Sequence, residues 1–187
     1  MNSSEIVKTI IKALDMASIE YAVVGSFSSN FYGKPRSTAD LDLVVHLPNI
    51  DAIQSVAMNL PTQFKLSPQM SFELVTGTTR FELEIEGTAF KVEFFILSSD
   101  LHDQERFSRR KQVVMDDLPL FVPSVEDVII TKLRWARPKD IEDIEEILLV
   151  GYPLDEIYLS KWCTLHGTSD LLKSISQAID YSDEQSL

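Results

Sequence analysis

The stretch that decides the fold is Tyr21–Val45, with the sequence YAVVGSFSSNFYGKPRSTADLDLVV. It begins with a short run of aromatic and β-branched residues that predicts a strand, and this run stops at Gly25-Ser26. It ends with Asp40-Leu41-Asp42, after which a nearly unbroken apolar run predicts a second strand covered on both faces. A glycine-serine turn after one strand therefore precedes a pair of aspartates at the start of another.

The two aspartates suggest a metal site. On an extended strand, side chains two residues apart point to the same face, so Asp40 and Asp42 point together while Leu41 points into the core. Adjacent carboxylates repel each other unless a cation neutralises them, and Mg²⁺ is commonly bound by one or two carboxylates together with substrate phosphates. Turn residues and helix caps also produce such pairs, and the apolar strand that follows favours the metal hypothesis.

The Gly25-Ser26 turn suggests a phosphate site. It would place a hydroxyl at the beginning of a short helix over residues 26–32, where free backbone N–H groups and the helix dipole favour an anion. The alternative is an ordinary strand-to-helix connection in which Ser26 is only the N-cap.

A third carboxylate, Glu93, interrupts the apolar run of a later strand. Residues 81–86 alternate strictly between apolar and acidic, which predicts a half-buried strand, and Gly87-Thr88 fits a two-residue hairpin turn. With that turn, Glu93 faces Glu82 and Lys91 faces Glu84 on the polar side. The alternative to a metal role for Glu93 is an ion pair on a solvated sheet face, with Lys91 or Arg80.

The remaining pattern predicts an α+β (α/β) fold in which helices flank a sheet. Further helices are expected over residues 5–17, capped by Ser3 or Ser4, and over 50–60 with Ile50 inward; later ones are expected over 100–110, 124–136, 138–150, 153–165 and 168–180. The other expected strands are a run of antiparallel strands over 70–97 and a small hairpin over 112–115 and 118–122. We predict a core domain over residues 1–122 and a helical subdomain over 123–187.

The charge balance and the cysteine count limit the classes of function to consider. The net charge is −12, from 29 acidic and 17 basic residues, which disfavours nonspecific nucleic-acid binding. The basic residues that could form a local anion site cluster at Arg106–Lys111 and Lys132–Lys139. The single cysteine, Cys163, excludes an internal disulfide and fits a reducing cytoplasm. The sequence shows no signal peptide and no apolar run long enough to cross a membrane.

Together these motifs resemble the nucleotidyltransferase superfamily of the DNA polymerase β type. More narrowly, they resemble a small bacterial group related to the AbiEii-type toxin nucleotidyltransferases. Members of that group often show a Gly-x-x-Arg-x-Thr-x-Asp-x-Asp pattern, which is matched here by Gly33, Arg36, Thr38, Asp40 and Asp42. The segment Arg137–Asp143 is similar to the group's late Arg-x-Lys-Asp-x-x-Asp motif.

The resemblance implies a nucleotidyltransferase-type mixed sheet and a metal-dependent transfer of a nucleoside monophosphate from an NTP such as ATP to an acceptor hydroxyl. Two Mg²⁺ or Mn²⁺ ions would be held by Asp40 and Asp42. Glu93, where the family often has aspartate, would hold the catalytic metal and accept the acceptor's proton. The nucleotide-binding residues would be Gly25, Ser26, Arg36, Thr38, Lys132 and Lys139.

Several alternatives stay open at this point. The acceptor could be tRNA, a protein or a small molecule. The chain could instead be a catalytically silent module that binds nucleotide or protein, or one half of a toxin–antitoxin or defence pair with a cognate protein partner. Lys139, Asp140 and Asp143 could also serve only to order the helix turn through local pairs.

Overall fold

The computed structural model describes residues 1–184, with side chains described through residue 179. They form two compact units: the first comprises Met1–Phe27 and Ser37–Pro123, and the second comprises Ser28–Arg36 and the chain from Ser124 onward. The predicted domains, 1–122 and 123–187, differ from these units in that Ser28–Arg36 groups with the later helices. Residues 185–187 of the predicted subdomain lie outside the described residues.

The first unit is built on a five-stranded mixed sheet with the strand order β1-β2-β5-β4-β3. Its strands are β1 (Glu20–Val24), β2 (Asp40–His46), β3 (Phe64–Glu73), β4 (Thr78–Ile85) and β5 (Lys91–Ile96). β2 and β5 are parallel, and the other neighbouring strands are antiparallel. The predicted mixed α+β class is thereby confirmed, and β3, β4 and β5 form the expected run of antiparallel strands.

The register of the β4–β5 hairpin is the predicted one. Glu82 lies opposite Glu93 and Glu84 lies opposite Lys91. The expected two-residue turn is wrong, because β5 begins only at Lys91. The Glu86 N–H donates to the carbonyl of Gln63 at 2.9 Å, so it is not used to close a tight hairpin.

One face of this sheet is apolar and fully covered. Leu41, Leu43, Val92, Phe94 and Leu83 are each at most 1% exposed. Helix α1 (Ser3–Met16) contacts β1 and also α3 (Ala52–Met58), which in turn contacts β3. The strict alternation in the sequence therefore separates this core from a charged face on the other side of the sheet.

Three local expectations need correction. Asn2, not Ser3 or Ser4, caps α1, because its side chain accepts from the Glu5 N–H at 2.8 Å and Glu5 accepts in return from the Asn2 N–H at 2.9 Å. Ile50 precedes α3 and is 49% exposed instead of buried. β3 begins at Phe64, before the expected residue 70, and carries a register shift between Leu66 and Met70.

The first unit is completed by one helix and a small hairpin. α4 (Leu101–Ser108) places Phe107 against Ala22, Val24 and Val44 on the face that also carries the charged residues. The hairpin consists of β6 (Lys111–Met115) and β7 (Leu118–Val122), as predicted, and β7 contacts β1.

The second unit is helical. Its helices are α5 (Val125–Trp135), α6 (Pro138–Val150), α7 (Glu156–His166) and α8 (Ser169–Glu184), and α2 (Gly25–Tyr32) spans the boundary between the units. A buried hydrogen bond from the Tyr158 hydroxyl to Asp127 at 2.6 Å ties α7 to the start of α5. No helix in the described part of the chain is long and apolar enough to cross a membrane.

Candidate active site

The three predicted carboxylates lie on the charged face of the five-stranded sheet. Asp40 and Asp42 are both within β2, so their side chains point to the same face, and Leu41 between them is 0% exposed. Asp42 lies directly opposite Glu93 in the parallel β2–β5 pair. The structure therefore brings the aspartate pair and Glu93 together across two neighbouring strands.

Gly25 packs directly against Asp42. It follows the last residue of β1, and its backbone has a φ of +63°, in the left-handed region that favours glycine. A Cβ atom at this position would lie 2.0 Å from the Asp42 Oδ2 atom. Only glycine lets the chain turn here without displacing the carboxylate, so this turn and the aspartate pair form one structural unit.

Two other predicted residues of the first unit lie next to the ends of β1 and β2. Ser26 is 7% exposed and lies inside the first turn of α2, because the helix begins at Gly25, one residue earlier than expected. Thr38 precedes β2, and its hydroxyl donates a long hydrogen bond of 3.4 Å to the Asp40 carbonyl. Ser26 thus lies just after the end of β1, and Thr38 lies just before the start of β2.

Glu93 also takes part in an ion pair. The Arg80 guanidinium lies 2.9 Å from Glu93 Oε1, which confirms one of the two pairings expected from the sequence. The other candidate, Lys91, instead donates to Glu82 at 2.6 Å. The pairing uses one of the two Glu93 oxygens and does not by itself decide between a metal role and a structural one.

The donor atoms at this site fit a hard divalent cation. Carboxylate oxygens are the ligands that Mg²⁺ and Mn²⁺ prefer, and Asp40, Asp42 and Glu93 present theirs on one face of two neighbouring strands. Within residues 1–184, however, no group of three or more His, Cys, Asp or Glu side chains is gathered closely enough to hold a metal ion. A metal site here would therefore require Glu93 to turn toward Asp42.

The predicted basic residues lie in the second unit, where an ion network forms between the start of α6 and its neighbours. Lys132, 6% exposed, donates to Asp143 at 2.6 Å and to Asp140 at 3.3 Å. Arg36 contacts both Asp143 oxygens, at 3.0 and 3.1 Å. Arg137 donates to Asp140 at 2.6 Å. These five side chains constitute what we call the α6 network.

Charge pairing sets the ionisation of both aspartates in the α6 network. Burial acts to raise the pKa of Asp143, but hydrogen bonds and charge from Arg36 and Lys132 outweigh it and leave the pKa below its usual value. The pKa of Asp140 is likewise lowered, because Arg137 and Lys132 together outweigh the effect of burial. Asp140 therefore makes the expected local pair, with Arg137, whereas the partners of Asp143 are Lys132 on α5 and the distant Arg36.

Replacing Asp143→Asn should destabilise the second unit. The substitution leaves Lys132 buried with fewer compensating oxygens, and breaking a buried ion pair from one side costs about 3 kcal/mol. Urea unfolding would measure the change. Glu142→Gln on the exposed neighbouring position is the matched control and should stay within about 0.5 kcal/mol. Equal effects of the two substitutions would contradict a structural role for the network.

The lowered aspartate pKa values predict acid sensitivity. A carboxyl whose folded-state pKa lies below its unfolded value stabilises the protein fully above the unfolded value of about 3.9 and loses that contribution as pH falls through the folded pKa. We expect the urea midpoint to fall with pH below about pH 4. The fall should be shallower in Asp143→Asn, and parallel profiles for the two proteins would show that Asp143 makes no contribution.

One residue predicted from the sequence, Lys139, has no contact among the described residues that assigns it to the site, and one further residue, Arg80, contacts the site. Lys139 is the second residue of α6 and is exposed, so its assignment as a nucleotide ligand stays a prediction. Arg80, which the sequence suggests only as a structural partner of Glu93, contacts a proposed metal ligand and so joins the site. The sequence did indicate its position, because the alternation along β4 places residues 80, 82 and 84 on the charged face.

Comparisons with known proteins agree with this architecture. A family model described as "Nucleotidyltransferase of unknown function (DUF6036)" matches residues 4–182. A search of curated proteins finds no matching sequence.

Solved structures share the fold at low sequence identity. An antigenic nucleotidyltransferase-like protein from Paracoccidioides brasiliensis matches with a TM-score of 0.55 at 18% identity, covering 95% of this chain and 94% of its own. The antibiotic-resistance factor ANT(2'')-Ia matches with a TM-score of 0.53 at 14% identity, covering 99% and 100%. The lincomycin-bound lincosamide antibiotic adenylyltransferase LnuA matches with a TM-score of 0.56 at 12% identity, covering 79% and 96%.

Proposed function

Since this chain belongs to the DUF6036 family of nucleotidyltransferases, we propose that it moves a nucleoside monophosphate from an NTP to an acceptor hydroxyl in a metal-dependent reaction. The observation that carries the proposal is the placement of Asp42 opposite Glu93, with Asp40 on the same face and Gly25 packed against the pair. Phosphoryl transfer chiefly requires positioning and charge neutralisation, and this arrangement offers both.

The carboxylates would act through bound cations. When Mg²⁺ or Mn²⁺ is bound, it supplies charge neutralisation for the triphosphate and for the oxygens that attack and leave. Asp40 and Asp42 would hold the metal ions, and Glu93 would join them. The acceptor oxygen forms a bond to the α-phosphorus, the bond from that phosphorus to the bridging oxygen breaks, and pyrophosphate leaves. Glu93 would take the acceptor's proton, directly or through water.

The remaining proposed ligands would hold the triphosphate. Gly25 and Ser26 begin α2, where backbone N–H groups favour phosphate. The α6 network contains three cations and two carboxylates, so it keeps one excess positive charge, which supports Arg36 and Lys132 as groups that would balance the charge of the triphosphate. Lys139 and Thr38 complete the proposed set.

The acceptor is proposed from charge. A net charge of −12 repels a polyanion, so a small molecule or a protein side chain is favoured over tRNA. LnuA, which shares the fold, is by its description an adenylyltransferase for lincosamide antibiotics, a class of small molecule. A basic cognate protein would also complement the net negative charge, so a partner protein of a toxin–antitoxin or defence system is a second candidate.

A labelling screen tests the proposal. The protein is incubated with each α-labelled NTP, Mg²⁺ or Mn²⁺ and a bacterial extract, and label is then traced in the RNA, protein and small-molecule fractions. We expect label in one fraction, with the small-molecule or protein fraction favoured. Nucleotide binding seen as a melting shift, without transfer under any condition, would instead support the catalytically silent module.

A further inference from the structure

We infer that Arg80 is a latch on Glu93, so that the Arg80 guanidinium and a divalent cation beside Asp42 compete for the same carboxylate. The inference rests on the proposed function, since it concerns the metal site of that reaction. It assigns a role to Arg80, which lies outside the family motifs, and it requires Glu93 to leave Arg80 when the metal binds.

The sheet register creates the competition. β5 lies between β2 and β4, so Glu93 has Asp42 opposite it on one side and Glu82 opposite it on the other. Neighbouring strands are about 4.8 Å apart, a distance that a glutamate side chain can span in either direction. In the structure Glu93 pairs with Arg80 of β4, at 2.9 Å, and is not gathered with Asp40 and Asp42 into a group that could hold a metal ion.

Arg80 is itself held in place. Its Nε–H donates to the Ser71 hydroxyl on β3 at 2.9 Å, and its guanidinium lies over the Phe95 ring, 5.9 Å from the ring centroid. A planar guanidinium that is hydrogen-bonded to a neighbouring strand and lies near an aromatic ring presents its remaining donors in a restricted range of directions. Arg80 therefore differs from an exposed, freely rotating surface cation.

Charge on the same face explains why Glu93 needs such a partner. Glu93 stands between Asp42 and Glu82, and like charges directly opposite each other on neighbouring strands are destabilising. Lys91 neutralises Glu82, and Arg80 neutralises Glu93. A divalent cation beside Asp42 would offer Glu93 a stronger partner than Arg80, and the carboxylate would then swing across β5 to join it.

Metal binding to the whole protein tests the latch independently of catalysis. Binding of Mn²⁺ alone, without nucleotide, is followed by electron paramagnetic resonance for the wild-type protein and for Arg80→Gln. If Glu93 is available to metal for only a minor fraction of the time, releasing it lowers the half-saturating Mn²⁺ concentration by about fivefold or more. In a Glu93→Gln background, the same Arg80 substitution should change the Mn²⁺ affinity by less than about twofold.

A matched control separates the latch from simple loss of positive charge. Lys91 is a cation on the same face and lies opposite Asp40, but its partner is Glu82. Lys91→Gln should shift the Mn²⁺ half-saturation by less than about twofold, because Lys91 is exposed and its ion pair holds Glu82 and not Glu93. Ser71→Ala, which only loosens Arg80, should shift it in the same direction as Arg80→Gln and by less.

The outcomes also distinguish the latch from the proposed function. Weaker Mn²⁺ binding in Arg80→Gln would show that Arg80 positions Glu93 for the metal. Equal shifts in Arg80→Gln and Lys91→Gln would show that loss of a positive charge alone explains the change in Mn²⁺ affinity. Either result overturns the latch while leaving a metal-dependent transferase intact. A wild-type protein that binds no Mn²⁺, alone or with NTP, would overturn both. Circular dichroism confirms that each variant is folded.

Discussion

Asp42→Asn should lower the rate of nucleotidyl transfer by about 10³-fold or more, the largest effect that we expect from any single substitution. Asp42 connects the two parts of the proposed site, because it lies opposite Glu93, the third carboxylate, and also packs against Gly25 of the proposed phosphate turn. Asparagine keeps the shape but lacks the charge that would hold a cation. Transfer of α-label at saturating Mg²⁺ and NTP is the measurement.

Glu84→Gln is the matched control for this substitution. Glu84 is an exposed carboxylate on the same sheet face, in β4, and it lies opposite Lys91 instead of a site residue. Its replacement should change the transfer rate by less than about threefold. Similar losses in the two variants would mean that the general negative charge of the face, and not Asp42, supports the reaction.

Stability should change little in Asp42→Asn. The substitution keeps the shape of the side chain and removes one charge from a pair of partner positions on β2 and β5, where charge contributes up to about 1 kcal/mol. We therefore expect resistance to urea to stay within about 1 kcal/mol of the wild-type value together with lost transfer. A large loss of stability would instead indicate that Asp42 has a structural role in the fold.

Gly25→Ala should cause the second largest loss. The added Cβ would lie 2.0 Å from Asp42 Oδ2, so either the strand or the carboxylate must shift. The left-handed backbone adds about 1–2 kcal/mol of strain for any residue with a Cβ, and overpacking adds about 1–3 kcal/mol. We expect about 3 kcal/mol of destabilisation, with transfer reduced at least about 100-fold because a carboxylate displaced by 1 Å no longer positions the metal.

Gly77→Ala measures the backbone-strain part of that effect alone, so the steric part follows from the difference between the two variants. Gly77 has a φ of +67°, close to the +63° of Gly25, and no atom lies within 4 Å of the position its Cβ would take. Urea unfolding of both variants, with transfer assays alongside, should show a strain of about 1–2 kcal/mol and normal transfer for Gly77→Ala. Equal losses of stability and transfer in the two variants would show that the packing of Gly25 against Asp42 does not contribute to either.

Local patterns in the sequence were sufficient to predict much of the site's frame. The position of Gly87-Thr88 between two strand patterns predicted the β4–β5 register, and the spacing of Asp40 and Asp42 predicted a shared face. Both depend only on short stretches of sequence and on the two-residue period of a strand. The hairpin turn itself was not predictable, because the Glu86 amide is bonded to Gln63, about twenty residues earlier.

Interactions between distant residues could not be predicted in the same way. Arg36 contacts Asp143, which is 107 residues later in the chain, and no local period links the two positions. The parallel pairing of β2 with β5 depends on how the intervening strands are arranged. The sequence also could not choose between Arg80 and Lys91 as the partner of Glu93, because both lie on its face.

The most direct test of the central claim compares two labels in one reaction. The protein is incubated with Mg²⁺, an acceptor fraction identified by the screen, and the same NTP carrying the label on either the α- or the γ-phosphorus. Nucleotidyl transfer predicts that the α-label appears on the acceptor and that the γ-label is released as pyrophosphate, with both signals lost in Asp42→Asn. Appearance of the γ-label on the acceptor, or α-label transfer that persists in Asp42→Asn, would contradict the proposed reaction and its site.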